Sequence, residues 1–597
     1  MYSISTLVGK TRIKRFSLPG RFWRAFRLSE ANSLLLLAVI IGIGGGFASV
    51  FFRYVLYAMD DFFFGVLYVW LSSFSPYLLP LVPMSGAILL IPFALRYPGE
   101  INGYGMPRFL ISVHLKGGLI RTRAIFIKIF TAAITIGSGG SAGVEGPIAQ
   151  IGGAVGSSVG RFFEMGSERL KVLIACGSAA GIAAQFNAPL AGVLFAQEIV
   201  MVREFRLQSF GAIVIASGLA TAVSRAYYSD APIFGKLHYE ISGYGELGFY
   251  IILGVLIGVL AVIFIRFFFW TGDLFEKIKM HPLLKPILGA FLVGLIGLVQ
   301  IRTLGGGYEA IIAALQSPPS IGIGVIASLV ILKSVATAIT LGSGNVGGVF
   351  APSLFIGAMV GAVFGWCVEM MFPGLNIQPG SYALVGMGAF LAAATHAPMT
   401  SIFLLFELTN NYQVIIPIMF ASVIGVMVAR KLCPDSLDSM ELTRQGVFLH
   451  SGREESILNS ITTESVMVRE CETIQENMTF SEFMEFLSNS KSTYFPVLNK
   501  EKKMTGIVSF HDIREIMLEE GLEDLVVMKE LAQTDLIKLF PHDNLSTAIQ
   551  KFGIKDNEAI PVVDPLDQQR LVGMLNRKDV MNEYNRAILI KGVNQQQ

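Results

Sequence analysis

Gly137-Ser138-Gly139-Gly140-Ser141-Ala142-Gly143-Val144-Glu145-Gly146-Pro147 and Gly342-Ser343-Gly344-Asn345-Val346-Gly347-Gly348-Val349-Phe350-Ala351-Pro352 are two copies of one stretch, 205 residues apart and identical at six of eleven positions. The register continues downstream. Gly152, Gly156 and Gly160 fall on Gly357, Gly361 and Gly365, a ladder of small residues in each copy that lets helices pack closely. At an offset of 209, Gly177, Ala180, Ala183, Ala184, Ala188, Pro189 and Glu198 match Gly386, Ala389, Ala392, Ala393, Ala397, Pro398 and Glu407. Gly and Ala match easily by chance, but ordered Gly-Ser-Gly, Gly-Val and Pro positions do not. The chain has two homologous halves, and between such halves a membrane transporter places its site.

Over the whole chain of 597 residues, 53% are hydrophobic and 15% charged, with a mean hydropathy of +0.60. Soluble domains carry about 25% charged residues, so this composition excludes a soluble enzyme and reads as a polytopic membrane protein. Apolar tracts at 34–59, 247–270, 283–301, 319–341 and 413–430 are each long enough to cross a bilayer as helix. Tracts at 121–136, 147–164 and 383–406 are shorter and broken by Gly and Pro. Helices can stop inside a bilayer only where protein or a water-filled cavity surrounds the free backbone ends, which points to a transporter or channel interior.

Residues 1–32 form a basic segment carrying Lys10, Arg12, Lys14, Arg15, Arg21, Arg24 and Arg27, expected on the cytoplasmic side. No signal-peptide pattern follows it. The membrane region is expected at 33–432, with halves of about 33–235 and 236–432. A linker at 433–462 leads to a soluble tail at 463–597, also expected in the cytoplasm. The net charge of +2 implies no nucleic-acid partner, and Cys176, Cys367, Cys433 and Cys471 stand too far apart for a zinc cluster.

The repeated turns end in Pro147 and Pro352, expected at first helical positions. Glycine lets backbone N–H groups crowd a ligand, and a helix N-terminus is worth about 0.3–1 kcal/mol to an anion, up to ~2 when partly buried. Several such ends converging can hold an anion without Lys or Arg, loosely enough for release. The bland reading is that these glycines only pack helices. Gly103-Tyr104-Gly105-Met106-Pro107 is a third motif of the same kind. Glu145, inside the first glycine turn, can occupy the anion's place until a proton neutralises it; the alternative is a capping carboxylate at a helix start.

At these residues the sequence resembles the CLC family of chloride channels and chloride/proton exchangers. Gly103-Tyr104-Gly105-Met106-Pro107 is similar to the family's G-S-G-I-P, Gly143-Val144-Glu145-Gly146-Pro147 to G-[RK]-E-G-P, and Gly348-Val349-Phe350-Ala351-Pro352 to G-x-F-x-P. Phe186-Asn187-Ala188-Pro189-Leu190-Ala191-Gly192 and Phe406-Glu407-Leu408-Thr409 are further family-like stretches. The resemblance implies an all-α polytopic fold of two inverted-repeat halves with broken helices, a homodimer, and one anion pathway per subunit. It implies Glu145 as the outer gating glutamate, and Phe350 as a backbone N–H donor to the anion. Gly103, Tyr104, Gly105, Met106, Pro107, Gly143, Val144, Gly146, Val349 and Phe350 are the implied anion-binding set.

Three positions depart from the family. Tyr104 stands for the serine that contacts chloride. The central tyrosine of the inner gate falls near Leu437 or Asp438, with the spacing to Gly446 favouring Asp438. The inner proton-transfer glutamate falls at Ile199, beside Glu198, so an inner proton route runs near Glu198 and Ile199 or through water.

The tail holds two segments of one plan, strand, turn, strand, helix, at about 463–520 and 526–590. They resemble a tandem CBS module, a small α/β unit. Ser509, Asp512, Asn576 and Asp579 match positions that hold a ribose in such modules, and an adenine nucleotide is the ligand this implies; helix capping by Ser509 and Asn576 is the equal alternative. No cofactor is required. The expected partners are chloride or other small anions, protons, a second copy of the chain and the lipid bilayer, with a bacterial inner membrane as the default location. The expected function is chloride/proton exchange gated by Glu145, with a voltage- or proton-gated chloride channel as the alternative. An intramembrane zinc protease lacks H-E-x-x-H, and a CBS-regulated divalent-cation channel would need more acids than Glu145, Glu198 and Glu407 near the repeats.

Overall fold

The computed structural model describes residues 30–583 apart from 98, 102, 203–206, 229–233, 235–243, 317–320, 376, 446–457, 459–460, 491, 514–525 and 556–557. The basic segment from Lys10 to Arg27 lies outside the described residues. Two compact units divide after Glu441.

In the first unit, sixteen α-helices of seven residues or more are described, and they fall into two matching series of eight. The first half carries α1 (Glu30–Asp60), α2 (Leu81–Leu89), α3 (Met106–His114), α4 (Arg123–Gly137), α5 (Glu145–Phe162), α6 (Ser167–Phe186), α7 (Pro189–Phe195) and α8 (Leu207–Tyr227). The second carries α9 (Leu247–Lys277), α10 (Lys285–Val299), α11 (Tyr308–Leu315), α12 (Ile323–Gly342), α13 (Phe350–Met371), α14 (Pro379–Thr395), α15 (Pro398–Thr409) and α16 (Ile415–Leu432). Among the described residues, eight stretches are long and apolar enough to span a membrane, while α7, α10 and α15 are shorter apolar helices.

The glycine ladders explain the centre of each half. A Cβ on Gly152 would lie 2.0 Å from the Gly177 carbonyl oxygen, and one on Gly177 would lie 2.0 Å from that of Gly152. Gly357 and Gly386 repeat this at 2.3 Å in both directions. So α5 packs on α6, and α13 on α14, backbone against backbone. All of α14, and α6 from Leu170 onward, is buried. That is the signature of a helix apolar all round and enclosed by other helices.

Contacts between the halves are reciprocal, as a two-fold relation requires. The Ser141 N–H donates to Thr340 Oγ1 at 3.1 Å, and the Val346 N–H donates to Thr135 Oγ1 at 3.3 Å. Glu198 accepts from the N–H groups of Met399 (3.1 Å) and Thr400 (2.7 Å) at the start of α15. Glu407, in α15, accepts from Leu190 (2.9 Å) and Ala191 (2.8 Å) at the start of α7. Each half thus caps a helix of the other, satisfying N–H groups that a helix start leaves open.

One expectation is corrected. Helices α5 and α13 begin at Glu145 and Phe350, so Pro147 and Pro352 are third residues, not first. The first four N–H groups of a helix have no partner within it, so a third-position proline sacrifices no hydrogen bond.

The second unit contains a three-stranded sheet, β1 (Ile474–Gln475), β2 (Tyr494–Leu498) and β3 (Met504–Ser509), and a two-stranded one, β4 (Ala559–Val563) and β5 (Leu571–Asn576). The hairpins β2–β3 and β4–β5 are antiparallel. Helices Phe480–Asn489 and Leu545–Lys555 pack on them. The modules trade edges: Val468 of the first bridges Met574 of the second, while Gln533 of the second bridges Ile507 of the first.

Candidate functional site

Three glycine-rich loops, those ahead of α3, α5 and α13, are knitted to one another by their backbones. Gly143 and Gly348 exchange hydrogen bonds, N–H to oxygen 2.8 Å in each direction. Tyr104 bridges Gly347, and the Gly103 N–H donates to the Gly344 oxygen at 3.2 Å. Gly103 has φ +47°, and a Cβ there would also meet the Leu341 oxygen at 2.8 Å, so the position requires glycine on both counts. A Cβ on Gly348 would lie 2.8 Å from the Gly146 nitrogen. The tips of α5 and α13 therefore touch with no side chain between them, and their open N–H groups share one region.

Every residue of the three motifs lies in this cluster. Gly105 precedes α3, whose first residues are Met106 and Pro107. Val144 precedes α5 and Val349 precedes α13. Gly143 and Gly146 flank the α5 start, and Phe350 begins α13 with its ring edge-on to Phe195 at 5.7 Å. Arg108, Lys128, Gln150 and Glu100 line a small cavity beside Gly105.

Glu145 is the first residue of α5 and 1% exposed. Its carboxylate folds back over Gly143, where a Cβ would lie 2.0 Å from Oε2. It faces the backbone amides of Glu145 itself and of Ala351, one residue beyond Phe350. Oε1 accepts from the Tyr308 hydroxyl at 3.3 Å, while Oε2 completes no hydrogen bond. A negative group thus sits between two helix starts, in the electrostatic position that suits a small anion.

Two residues here were not singled out in the sequence. Tyr308 begins α11, the counterpart of α3, and follows Gly305-Gly306-Gly307 much as α3 follows Gly103-Tyr104-Gly105. That parallel was the available signal. Lys333 is fully buried in α12 and donates to the carbonyls of Thr303 (2.9 Å) and Gly305 (2.7 Å), holding the loop that leads to Tyr308. A single lysine inside the apolar tract 319–341 was its signal.

At the other end of the knitted loops, the Tyr104 hydroxyl donates to Asp438 Oδ1. Asp438 is 4% exposed and its Oδ2 has no partner. Its turn is held by the Leu437 N–H, which donates to the Ala394 oxygen at 3.0 Å. Ile199 is buried within a π-helical turn, Ala196–Val200. Both oxygens of the adjacent Glu198 are spent on Met399 and Thr400, with the Thr400 hydroxyl adding a third bond at 2.8 Å. Among the described residues no group of three or more His, Cys, Asp or Glu is placed to hold a metal ion.

In the tail, Ser509 ends β3 and Asn576 ends β5, each followed by helix. The Asn576 amide donates to Asp579 Oδ2 at 2.7 Å. The side chain of Asp512 lies outside the described residues.

Residues 86–430 match the family described as voltage gated chloride channel, and residues 464–519 and 528–586 each match the CBS domain. The chain is 33% identical over 420 residues to the H(+)/Cl(-) exchange transporter ClcA of Vibrio cholerae serotype O1 (strain M66-2), covering 69% of this chain and 89% of that protein. A slow cyanobacterial Cl-/H+ antiporter has a similar structure, with a TM-score of 0.63 and 28% identity over 70% of this chain and 98% of its own. A eukaryotic CLC transporter, 20% identical with a TM-score of 0.60, shares the fold over 92% of this chain and 97% of its own. These relatives are transporters and not enzymes, and this protein is likewise a multi-pass membrane transporter. Helix starts knit tip to tip around a buried glutamate, followed by two CBS domains, make the chain a member of the voltage gated chloride channel family, the CLC proteins.

Proposed function

We propose that this protein exchanges chloride for protons across a membrane, with Glu145 as both anion competitor and proton carrier at one end of the pathway. The observation that carries the reading is the place of the Glu145 carboxylate, buried between the N-termini of α5 and α13 where an anion would bind. The names of the Vibrio and cyanobacterial relatives support the same reaction. The anion-binding set is the three knitted loops, Gly103 to Pro107, Gly143, Val144, Gly146, Val349 and Phe350, with Ala351 added. The homodimer, the bacterial inner membrane and the cytoplasmic placement of both termini belong to the same proposal, supported by family resemblance and by the basic N-terminal segment.

Reconstituted vesicles under a chloride gradient are expected to drive protons uphill, read with an external pH electrode. Chloride flux with no proton movement would leave the second reading, a passive chloride channel, which Ile199 favours because isoleucine carries no proton.

The tail is proposed to bind an adenine nucleotide, with Asp579 accepting the ribose hydroxyls. A hydrogen bond to a charged acceptor is worth about 1.5–3 kcal/mol, so Asp579→Ala is expected to weaken binding of labelled ATP, ADP or AMP to the full-length protein roughly 10- to 150-fold. No binding to the unmodified protein, or equal binding to the variant, would assign Asp579 to its bond with Asn576 alone.

A further inference from the structure

We propose that Asp438, latched by Tyr104, is a second proton carrier of this transporter. The inference rests on the exchange reading above and assigns the residue that completes it. The loops form a continuous column. The Glu145 carboxylate lies over Gly143, Gly143 pairs with Gly348, the adjacent Gly347 bridges Tyr104, and the Tyr104 hydroxyl binds Asp438. A buried carboxylate stands at each end of the column.

The chemistry follows from counting donors. A phenol has one O–H, which cannot serve the Asp438 carboxylate and a passing anion together. While Asp438 is ionised it holds that hydrogen and adds a negative charge beside the loop, so an anion is excluded twice. When a proton joins the carboxylate, the charge disappears. The new carboxyl O–H can donate to the phenol oxygen, and the phenol O–H is released to point at an anion. One proton taken up therefore admits one anion binding event, and no bond other than the carboxyl O–H forms or breaks. Asp438 Oδ2, buried and without a partner, is an open position for that proton.

The surroundings leave this role to Asp438. Tyr104, from the loop before α3, is the titratable group facing it. Phe268 of α9 packs edge-on to Tyr104 at 6.1 Å, and α14 contributes the uncharged Ala394 carbonyl to the turn. Among the described residues no lysine or arginine neutralises Asp438. Ile199 cannot carry a proton, and Glu198 has both oxygens engaged at the α15 start.

The test uses vesicles of the full-length protein with chloride and proton fluxes read together. Asp438→Asn is expected to lower protons moved per chloride at least tenfold while chloride still passes, the retained flux showing that the variant is folded. Asp438→Glu is expected to keep coupling, and Tyr104→Phe, which removes the donor that holds Asp438, to shift the pH at which chloride flux rises. If Asp438→Asn fails to fold, these two variants carry the test. Unchanged coupling in Asp438→Asn, or chloride and proton fluxes falling in proportion, would overturn the proposal and leave exchange itself standing. The same holds for loss of coupling in Asp438→Glu, or a Tyr104→Phe profile identical to that of the unmodified protein. Absence of proton movement in the unmodified protein is a different result, which removes the exchange reading instead.

Discussion

Vesicles carrying Glu145→Gln are expected to pass chloride down its gradient while proton movement falls to the level of protein-free vesicles. Glutamine keeps the length and shape of the side chain, so the α5 tip, the pairing of Gly143 with Gly348 and the contact with Tyr308 can all persist. What it removes is the single exchangeable proton and the negative charge. An ionised carboxylate competes with chloride for the N–H groups of two helix starts, each worth up to ~2 kcal/mol to an anion when partly buried. A neutral amide competes far less, so Glu145→Gln should lose the part of the rise in chloride flux on acidification that Glu145 sets and keep the part that Asp438 sets. Proton movement surviving in Glu145→Gln would place the carrier elsewhere. Loss of both fluxes, with the protein still folded, would mean that the side chain must be ionisable for chloride to pass at all.

The halves were legible because the repeat was written in glycines and prolines, residues whose positions are set by backbone geometry. The Gly152 and Gly177 contact and its Gly357 and Gly386 counterpart are the physical content of the ladders seen in the sequence. The three motifs were legible for the same reason, since each needs N–H groups free of Cβ interference. Tyr308 and Lys333 escaped because they act through tertiary contact. Tyr308 reaches Glu145 from 163 residues away, and Lys333 binds carbonyls of a loop some thirty residues before it. No local pattern encodes either. Glu198 and Glu407 were visible as a repeated acid, yet their use as reciprocal helix caps emerges only once α7 and α15 lie side by side. Tyr104 and Asp438 were seen as two separate departures. The structure joins them by a hydrogen bond across 334 residues of sequence, which neither position announces alone.

Gly177→Ala is expected to be among the most damaging single-methyl changes in the membrane region. Its Cβ would stand 2.0 Å from the Gly152 oxygen, 2.7 Å from the Gly152 carbonyl carbon and 3.1 Å from the Gly156 nitrogen. All three are backbone atoms, so no side chain can rotate away, and α5 and α6 must separate by more than about an ångström to restore van der Waals contact. Overpacking a core costs about 1–3 kcal/mol where side chains yield, and the backbone clash puts this site at the top of that range or above it. The displacement also acts on function, because α5 begins at Glu145 and its tip is tied to Gly348 by Gly143. The variant should therefore lose monodisperse protein in detergent, melt several degrees lower, and pass chloride more slowly wherever it does fold. Gly324→Ala is the matched control. It adds the same methyl in a helix, α12, at an exposed position with no heavy atom within 4 Å of the new Cβ. There alanine's better helix propensity should leave stability unchanged or raised by up to about 1 kcal/mol. Equal melting temperatures for the two variants would show that α5 and α6 are not held at the separation seen here, and that the glycine ladder has another purpose.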